Sequence, residues 1–514
     1  MDDALSHAPS RLRAAIAGLV AGGLGVGVGE LIAGLVPGAP SLVLAIGSGV
    51  IELQPPGAKQ FVVDLFGEAD KFVLNLLVAA VALGIGAALG VLALRSWRAA
   101  LGGFAGIGVL AFAASRLEGG QNDLVLSALT SAAAVVVAVY ALRWLLRLAT
   151  PRSRGAEMPD FSRRQFIGGA VALAGVAAGS GVIGRVLLEN RAGRVASVPE
   201  VPAPGATAPP LPSGASLDVP GITPIVTPNE DFYRIDTELL VPRLDASTWS
   251  LEVNGMVDTP FTINYDELIG MPLIEQHVTI ACVSNEVGGR LVGNAKWRGV
   301  RLRDLLDRAG VQDGATQIVG RAHDGWTAGF PTSWVTTPER EAMVAVAMND
   351  EPLPPDHGYP ARLIVPGLYG YVSATKWLTN IELTRLEDFD AYWVPRGWAK
   401  EAPILTQSRI DRPNDGQTVQ PGTVPIAGVA WAPDRGVSRV EVQVDDGEWV
   451  EADLSTPISD ATWVQWVLRW EATSGDHQVK VRATDGTGEV QTAETSRPDP
   501  DGARGHHTIR VQVA

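Results

Sequence analysis

The first 190 residues of this 514-residue chain hold five apolar stretches, at about 14–36, 72–94, 99–115, 124–148 and 166–188. A lipid core of ~30 Å is crossed by about 20 helical residues, so each stretch qualifies or nearly qualifies as a span. Arginine supplies the orientation. Arg11 and Arg13 precede the first stretch, Arg95 and Arg98 separate the second from the third, and Arg143 through Arg164 crowd the connection before the fifth. The alternate connections are acidic or neutral (Glu52, Asp64, Glu68, Asp70; Glu118, Asp123), with only Lys59, Lys71 and Arg116 opposing. This pattern predicts the N-terminus inside, five spans, and everything after residue 190 outside. The shorter piece at 41–51, followed by Glu52 and Pro55-Pro56, reads as interfacial or re-entrant.

Ser162-Arg163-Arg164-Gln165-Phe166-Ile167 matches a twin-arginine export signal ahead of the weakly hydrophobic stretch 168–184. The plainer view is that two arginines before an apolar helix obey the positive-inside bias. Export of folded protein would suit a domain that receives a bulky cofactor in the cytoplasm. No small-residue cleavage site stands out, so the span is expected to remain as an anchor. Glu30 falls inside the first stretch, where an ionised carboxylate is costly. The histidines are at 7, 277, 323, 357, 477, 506 and 507. None lies in a span, which excludes a bis-imidazole membrane haem built from this chain alone.

The mean hydropathy of +0.15 comes almost wholly from this region. The net charge of −15 argues against nucleic-acid binding. A single cysteine excludes an intrachain disulfide framework, a zinc ribbon and an all-protein iron–sulfur cage. Residues 192–228 are rich in Pro, Ala, Gly, Ser and Thr and read as an extended, mobile linker. From Trp249, short alternating runs mix with short helices such as Tyr265–Ile269 and Leu302–Ala309, stopped by Gly270 and Gly310. That mixture is α+β, without βαβ periodicity or a dinucleotide fingerprint. Beyond about residue 408, evenly spaced strands such as Val440–Val444, Val479–Ala483 and Ile509–Val513 predict an immunoglobulin-like sandwich. Trp431, Trp449, Trp463, Trp466 and Trp470 should supply its core and interfaces. The expected organisation is multi-domain: an α-helical membrane bundle over 1–191, the linker over 192–228, an α+β domain over 229–408 and an all-β sandwich over 409–514.

Cys282 ends an apolar run, Val278-Thr279-Ile280-Ala281, and enters a polar turn. Alone, such a cysteine is most simply a buried small hydrophobe. Downstream come Asp356-His357-Gly358-Tyr359-Pro360-Ala361-Arg362, Val365-Pro366-Gly367 and Thr375-Lys376-Trp377. A His, an Arg five residues on and a Lys after glycine turns suit a phosphate and polar ring edges. A thiolate facing such a pocket is a soft ligand for a soft or high-valent metal.

Residues 229–514 resemble the sulfite oxidase family of molybdenum enzymes. The resemblance is carried by Phe232-Tyr233-Arg234, Ala281-Cys282, Trp297-Arg298-Gly299, Met348-Asn349-Asp350-Glu351-Pro352-Leu353-Pro354-Pro355-Asp356-His357-Gly358-Tyr359-Pro360, Arg362, Val365-Pro366-Gly367 and Lys376-Trp377. It implies a sulfite-oxidase-type molybdopterin-binding domain, with Cys282 as the thiolate on molybdenum and Arg234 beside the reacting centre. It further implies that Phe232, Tyr233, Arg234, Asp324, His357, Arg362, Ala374, Thr375 and Lys376 hold the molybdopterin. The C-terminal sandwich would be the family's dimerisation domain, so a homodimer is among the expectations. The chemistry implied is two-electron oxygen-atom transfer.

The sequence departs from the family where substrate is bound. Sulfite oxidases resemble one another in placing arginines just after the ligand cysteine, whereas this chain has Ser284-Asn285-Glu286-Val287. Glu286 would repel sulfite, and Arg290 could substitute only if the loop folds back. The family's active-site tyrosine is replaced by Trp398. A neutral sulfoxide or N-oxide is therefore as good an expectation as a small oxyanion. With no haem site in the chain, electrons require a separate carrier, a cytochrome or a membrane redox partner. A metal-free binding or adhesion module on a membrane anchor is the alternative reading. A transporter fits least, because the spans show no inverted repeat.

Overall fold

A computed structural model describes residues 9–53, 70–117, 123–150, 161–192, 199–242, 244–336 and 340–514. They divide into two compact units. The first holds the chain up to Arg194 together with Glu238–Arg243, and the second holds Val195–Thr237 and Leu244–Ala514. Asp64, Glu68, Lys59 and Glu118 of the charge pattern, the Pro55-Pro56 pair and residues 193–198 lie outside the described residues.

The first unit is helical: α1 (Arg11–Leu35), α2 (Leu42–Leu53), α3 (Asp70–Ala93), α4 (Trp97–Leu117), α5 (Leu124–Ala149) and α6 (Phe161–Ala192). Five of these are long and apolar enough to cross a membrane, and they coincide with the five stretches expected. The 12-residue α2 is too short to do so, at about 18 Å. α1 packs against α3, α5 and α6, and small residues make that approach close. A Cβ on Gly18 would meet the carbonyl oxygen of Gly86 and lie 2.7 Å from Gly90 N. Glu30 is buried and has a structural use. It accepts from Ser41 Oγ at 2.7 Å and from Val43 N at 3.3 Å, so the carboxylate sits on the N-terminal end of α2.

In the second unit the Pro-rich segment corrects the sequence reading. It is extended but not mobile: Gly205 N donates to Leu273 O, Glu275 N donates to Ala206 O, and Thr227 N donates to Asn294 O. Val201, Ala215 and Ile225 are buried. A segment without periodicity can still dock when its backbone finds partners at a sheet edge and a few isolated apolar side chains find holes. Here it is a strap.

The α+β portion contains two sheets. One has the order β2-β1-β10-β5-β6, from β1 (Ser250–Gly255), β2 (Phe261–Asn264), β5 (Gln317–Ala322), β6 (Thr327–Pro331) and β10 (Leu378–Thr384). The other runs β3-β4-β7-β8, from β3 (Leu273–Ala281), β4 (Val292–Arg301), β7 (Met343–Met348) and β8 (Glu351–Pro352), with β9 (Arg362–Ile364) on β7. The central strand β7, Met-Val-Ala-Val-Ala-Met, is buried throughout, as a continuous apolar run requires. Helices α7 (Tyr265–Ile269) and α8 (Leu302–Ala309) stop at Gly270 and Gly310 as expected, and Asn264 and Glu267 form a capping box on α7. The register Ala281↔Val292 leaves 282–291 as the loop joining β3 to β4. That loop begins with the single thiol.

From Gln407 the chain forms a sandwich of two sheets, β11-β13-β17-β16 and β12-β19-β18-β14-β15. Its strands are β11 (Gln407–Arg412), β12 (Gln417–Val419), β13 (Gly422–Trp431), β14 (Val437–Val444), β15 (Val450–Glu451), β16 (Asp453–Leu454), β17 (Val464–Ala472), β18 (Gly475–Asp485) and β19 (His507–Val513). The five tryptophans divide by role. Trp466 sits in the sandwich core, with Trp470 packed against it. Trp431 and Trp463 belong to the core cluster of the α+β portion and so weld the two together. Trp449 lies edge-on to His506 and beneath Arg482.

Candidate functional site

Cys282 is buried, and its backbone N donates to Leu291 O at 2.9 Å. Asn285 N donates to Cys282 O at 3.0 Å, and Asn285 Oδ1 accepts from Leu291 N at 2.7 Å. The loop therefore folds back on itself, and Arg290 and Glu286 are both exposed. Two buried phenols, Tyr233 and Tyr369, lie within electrostatic reach of the thiol. Burial, with Cys282 as a further contributor, drives both well above the ordinary phenol range, so they stay protonated.

Next to Tyr233 is Arg362, on β9. It is fully buried, and burial brings its guanidinium down to about 10. Nη1 donates to His357 O at 3.0 Å, and the guanidinium lies 5.1 Å from the Trp297 ring centroid. Its Nε is buried with no hydrogen-bond partner among the described residues. Lys376 Nζ donates to Asp236 Oδ2 at 2.7 Å and to Asp356 O at 3.1 Å. Burial, only partly offset by the Asp236 carboxylate, lowers this ammonium to about 8. Arg234 Nε donates to the same Asp236 oxygen at 3.0 Å, and its Nη1 lies 3.2 Å from Asp356 Oδ1.

The His357 ring is fixed in one tautomer. Nε2 lies 2.9 Å from Asn229 O. A carbonyl can only accept, so Nε2 carries the proton and Nδ1 is left as an acceptor. Burial holds His357 at about 4, further lowered by Arg362 and Lys376, and it is neutral at physiological pH. Phe232 stacks on Tyr233 at 5.3 Å and meets Trp297 and His357 edge-on. Gly293 leaves room for that ring, because a Cβ there would stand 2.7 Å from it.

The structure thus gathers Phe232, Tyr233, Arg234, Cys282, His357, Arg362 and Lys376 into one connected set. Ala374 and Thr375 are buried on the adjoining turn, where Thr375 Oγ1 donates to Gly320 O at 3.4 Å. Asp324 accepts from Trp326 N at 3.0 Å and shapes the β5–β6 turn, which reaches the Lys376 segment through His323 N and Trp377 O. Trp398 lies 5.7 Å from the Tyr371 ring. Asp236, Asn229 and Tyr369 also belong here, and motif reading missed them; Asp356 lay within the quoted motif but was given no role. Of the missed three, Asp236, two residues after Arg234, was the one with a visible signal.

Residues 238–393 match the family model described as the oxidoreductase molybdopterin binding domain, and 407–511 match a bacterial Ig domain. Mitochondrial sulfite oxidase of Homo sapiens is 31% identical over 302 residues, covering 50% of this chain and 55% of that protein. Nitrate reductase [NADH] 1 of Oryza sativa subsp. japonica is 29% identical over 309 residues, covering 48% and 34%. The chain therefore spans about half, or less, of the curated relatives it matches. The sulfane dehydrogenase SoxCD of Paracoccus pantotrophus is a structural neighbour with TM-score 0.49 and 23% identity, covering 56% of this chain and 82% of that one.

The residues present fit a molybdopterin. Arg234 and Lys376 pair with Asp236 and Asp356, while Arg362 adds a third cation whose buried Nε has no hydrogen-bond partner among the described residues. An excess of one positive charge with a free donor suits a phosphate. Among the described residues no cluster of three or more His, Cys, Asp or Glu could hold a metal ion. Residues 238–393 are therefore a molybdopterin-binding oxidoreductase domain, similar to that of the sulfite oxidases.

Proposed function

We propose that this oxidoreductase is anchored in the cytoplasmic membrane by its five long helices, with its catalytic domain outside, and transfers oxygen atoms to or from a small substrate. The observation that carries the reading is the buried Tyr233, within electrostatic reach of both the Cys282 thiol and Arg362, in a chain that also gathers Lys376 and Asp236. The bound cofactor would supply the two-electron oxygen-atom chemistry.

The chain's own residues do the rest. Cys282 would offer one thiolate from the first position after β3, where its N–H donates to Leu291 O and its carbonyl accepts from Asn285 N. Arg362 and Lys376 would neutralise the phosphate, and Arg234 stands beside them. His357 Nδ1 would accept from a pterin N–H, since its other nitrogen is spent on Asn229. The protonated phenols of Tyr233 and Tyr369 would donate hydrogen bonds toward the thiolate and its neighbours. Asp324, Ala374 and Thr375 would complete the cofactor's surroundings through their turns.

Substrate preference follows from the loop after the thiol, where Ser284, Asn285 and Glu286 stand in place of a cationic cluster. That favours a sulfoxide or N-oxide over sulfite. Electrons would pass to or from a separate cytochrome or membrane partner, with the helical unit as anchor and docking surface. Dimerisation through 409–514 is part of the same proposal.

The test is metal and pterin analysis of protein from a molybdate-replete host, paired with Cys282→Ser. Molybdenum with pterin, lost activity in the serine variant, and turnover of dimethyl sulfoxide or trimethylamine N-oxide with a reduced dye would support it. Protein carrying neither metal nor pterin would overturn it in favour of a metal-free binding module, and a fully active serine variant would overturn the role given to Cys282.

A further inference from the structure

The loop 282–291 carries two successive glycines, Gly288 and Gly289, six and seven residues after the thiol. Glycine pairs impose no conformation of their own, so something else must hold this turn. The contacts come from the sandwich and the strap. Arg409, on β11, is buried, and its planar fork is divided three ways. Nη1 donates to Gly289 O at 2.8 Å, Nη2 donates to Thr223 Oγ1 at 2.8 Å, and Nε donates to Asp411 Oδ1 at 2.7 Å. The second oxygen of Asp411 accepts from Thr223 N at 3.1 Å. One residue on, Ile410 N donates to His507 Nδ1 at 2.9 Å, which places the remaining ring proton on Nε2. That ring lies directly on Gly288, whose φ is +78°; a Cβ there would stand 2.9 Å from His507 Cγ and nearer still to Cδ2 and Nε2.

These contacts reach the thiol by short steps. Gly289 N donates to Glu286 O, and Asn285 bonds to both Leu291 N and Cys282 O. On the other side of Cys282, Thr279 of β3 donates its N to Ala461 O at 2.9 Å and accepts from Trp463 N at 2.8 Å. The strand before the thiol and the loop after it are therefore both held by the C-terminal sandwich.

We infer that Arg409 is a positioning residue, and that through it the immunoglobulin-type domain sets the loop presenting Ser284 to Arg290 to substrate. The inference rests on the reading of Cys282 as the metal-bound thiolate. A lone ammonium cannot reach three separated acceptors, so Arg409→Lys keeps the charge opposite Asp411 while releasing Gly289. In the full-length protein this variant should lose about tenfold in hydrogen-exchange protection across 284–291, the worth of one charged hydrogen bond. Peptides from β13 and β17 should keep theirs. Molybdenum content should stay at the wild-type level while KM rises severalfold and kcat changes less. Arg409→Met should show the same pattern, more strongly. Unchanged protection of 284–291 in the Lys variant would overturn the inference, as would an equal loss spread over the whole sandwich. The exchange measurement needs no cofactor, so absence of molybdenum from wild type would sink the reading of Cys282 and leave the clamp to be judged by its own result.

Discussion

Replacing Arg362 by methionine should affect the protein in opposite directions with and without its cofactor. Burial brings this guanidinium down to about 10. Each tenfold in proton affinity is about 1.4 kcal/mol, so the polypeptide alone works against the charge by about 3 kcal/mol. Because its folded value is depressed, that cost is complete at every pH well below 10, including neutrality. Opposing it are the bond to His357 O and the contact over Trp297, together about 2 kcal/mol. A methionine refills the space of the stem, so cofactor-free Arg362→Met should lie within about 1 kcal/mol of wild type or above it. In the loaded protein the same change leaves a buried phosphate uncompensated, which costs about 3–5 kcal/mol and roughly 5–10 °C in Tm. The assay is thermal unfolding of both variants, made with and without molybdate, alongside pterin retained after desalting. Equal destabilisation of loaded and cofactor-free protein would show that the guanidinium serves the fold alone and would refute the reasoning.

Lys376, at about 8 in the folded chain, carries its destabilising charge fully below that value and sheds it as pH rises toward the ordinary lysine range of about 10.4. Pterin retention should therefore decline as pH rises through and above about 8, while Lys376→Gln holds less and shows no such decline; parallel profiles would reject the assignment. Gly299→Ala would set a methyl 2.6 Å from Ala345 Cα and against the Val344 carbonyl, at the register shift where β4 meets β7. Chemical denaturation should show a loss of about 3 kcal/mol, because backbone cannot yield as a side chain can. Arg163→Lys with Arg164→Lys should leave the catalytic domain accessible to protease only after cell lysis, whereas wild-type cells expose it from the outside; identical accessibility would exclude twin-arginine export.

Much of the fold could be read along the chain because its signals are local. The helical stretches announce themselves by length and composition, and α7 and α8 end at the glycines that terminate them. The strands of the sandwich alternate with their turns. The strap was misread for the same reason: Pro-rich composition reports the absence of periodicity, whereas its order comes from Leu273, Asn294 and other residues far along the chain. Motif spacing reached His357, Arg362 and Lys376, but it could not show that Asp236 pairs with both Arg234 and Lys376 or that Tyr369 reaches the thiol.

Taken alone, the sequence determined which segments are apolar, where helices start and stop, and that the chain has a single thiol. Tertiary structure decided the charge balance around Arg362, the tautomer of His357, and the hold that Arg409 and His507 exert on the loop after Cys282. Each of these includes contacts between residues more than one hundred positions apart, such as His357 with Asn229 and Arg409 with Gly289, a proximity that local propensity does not encode.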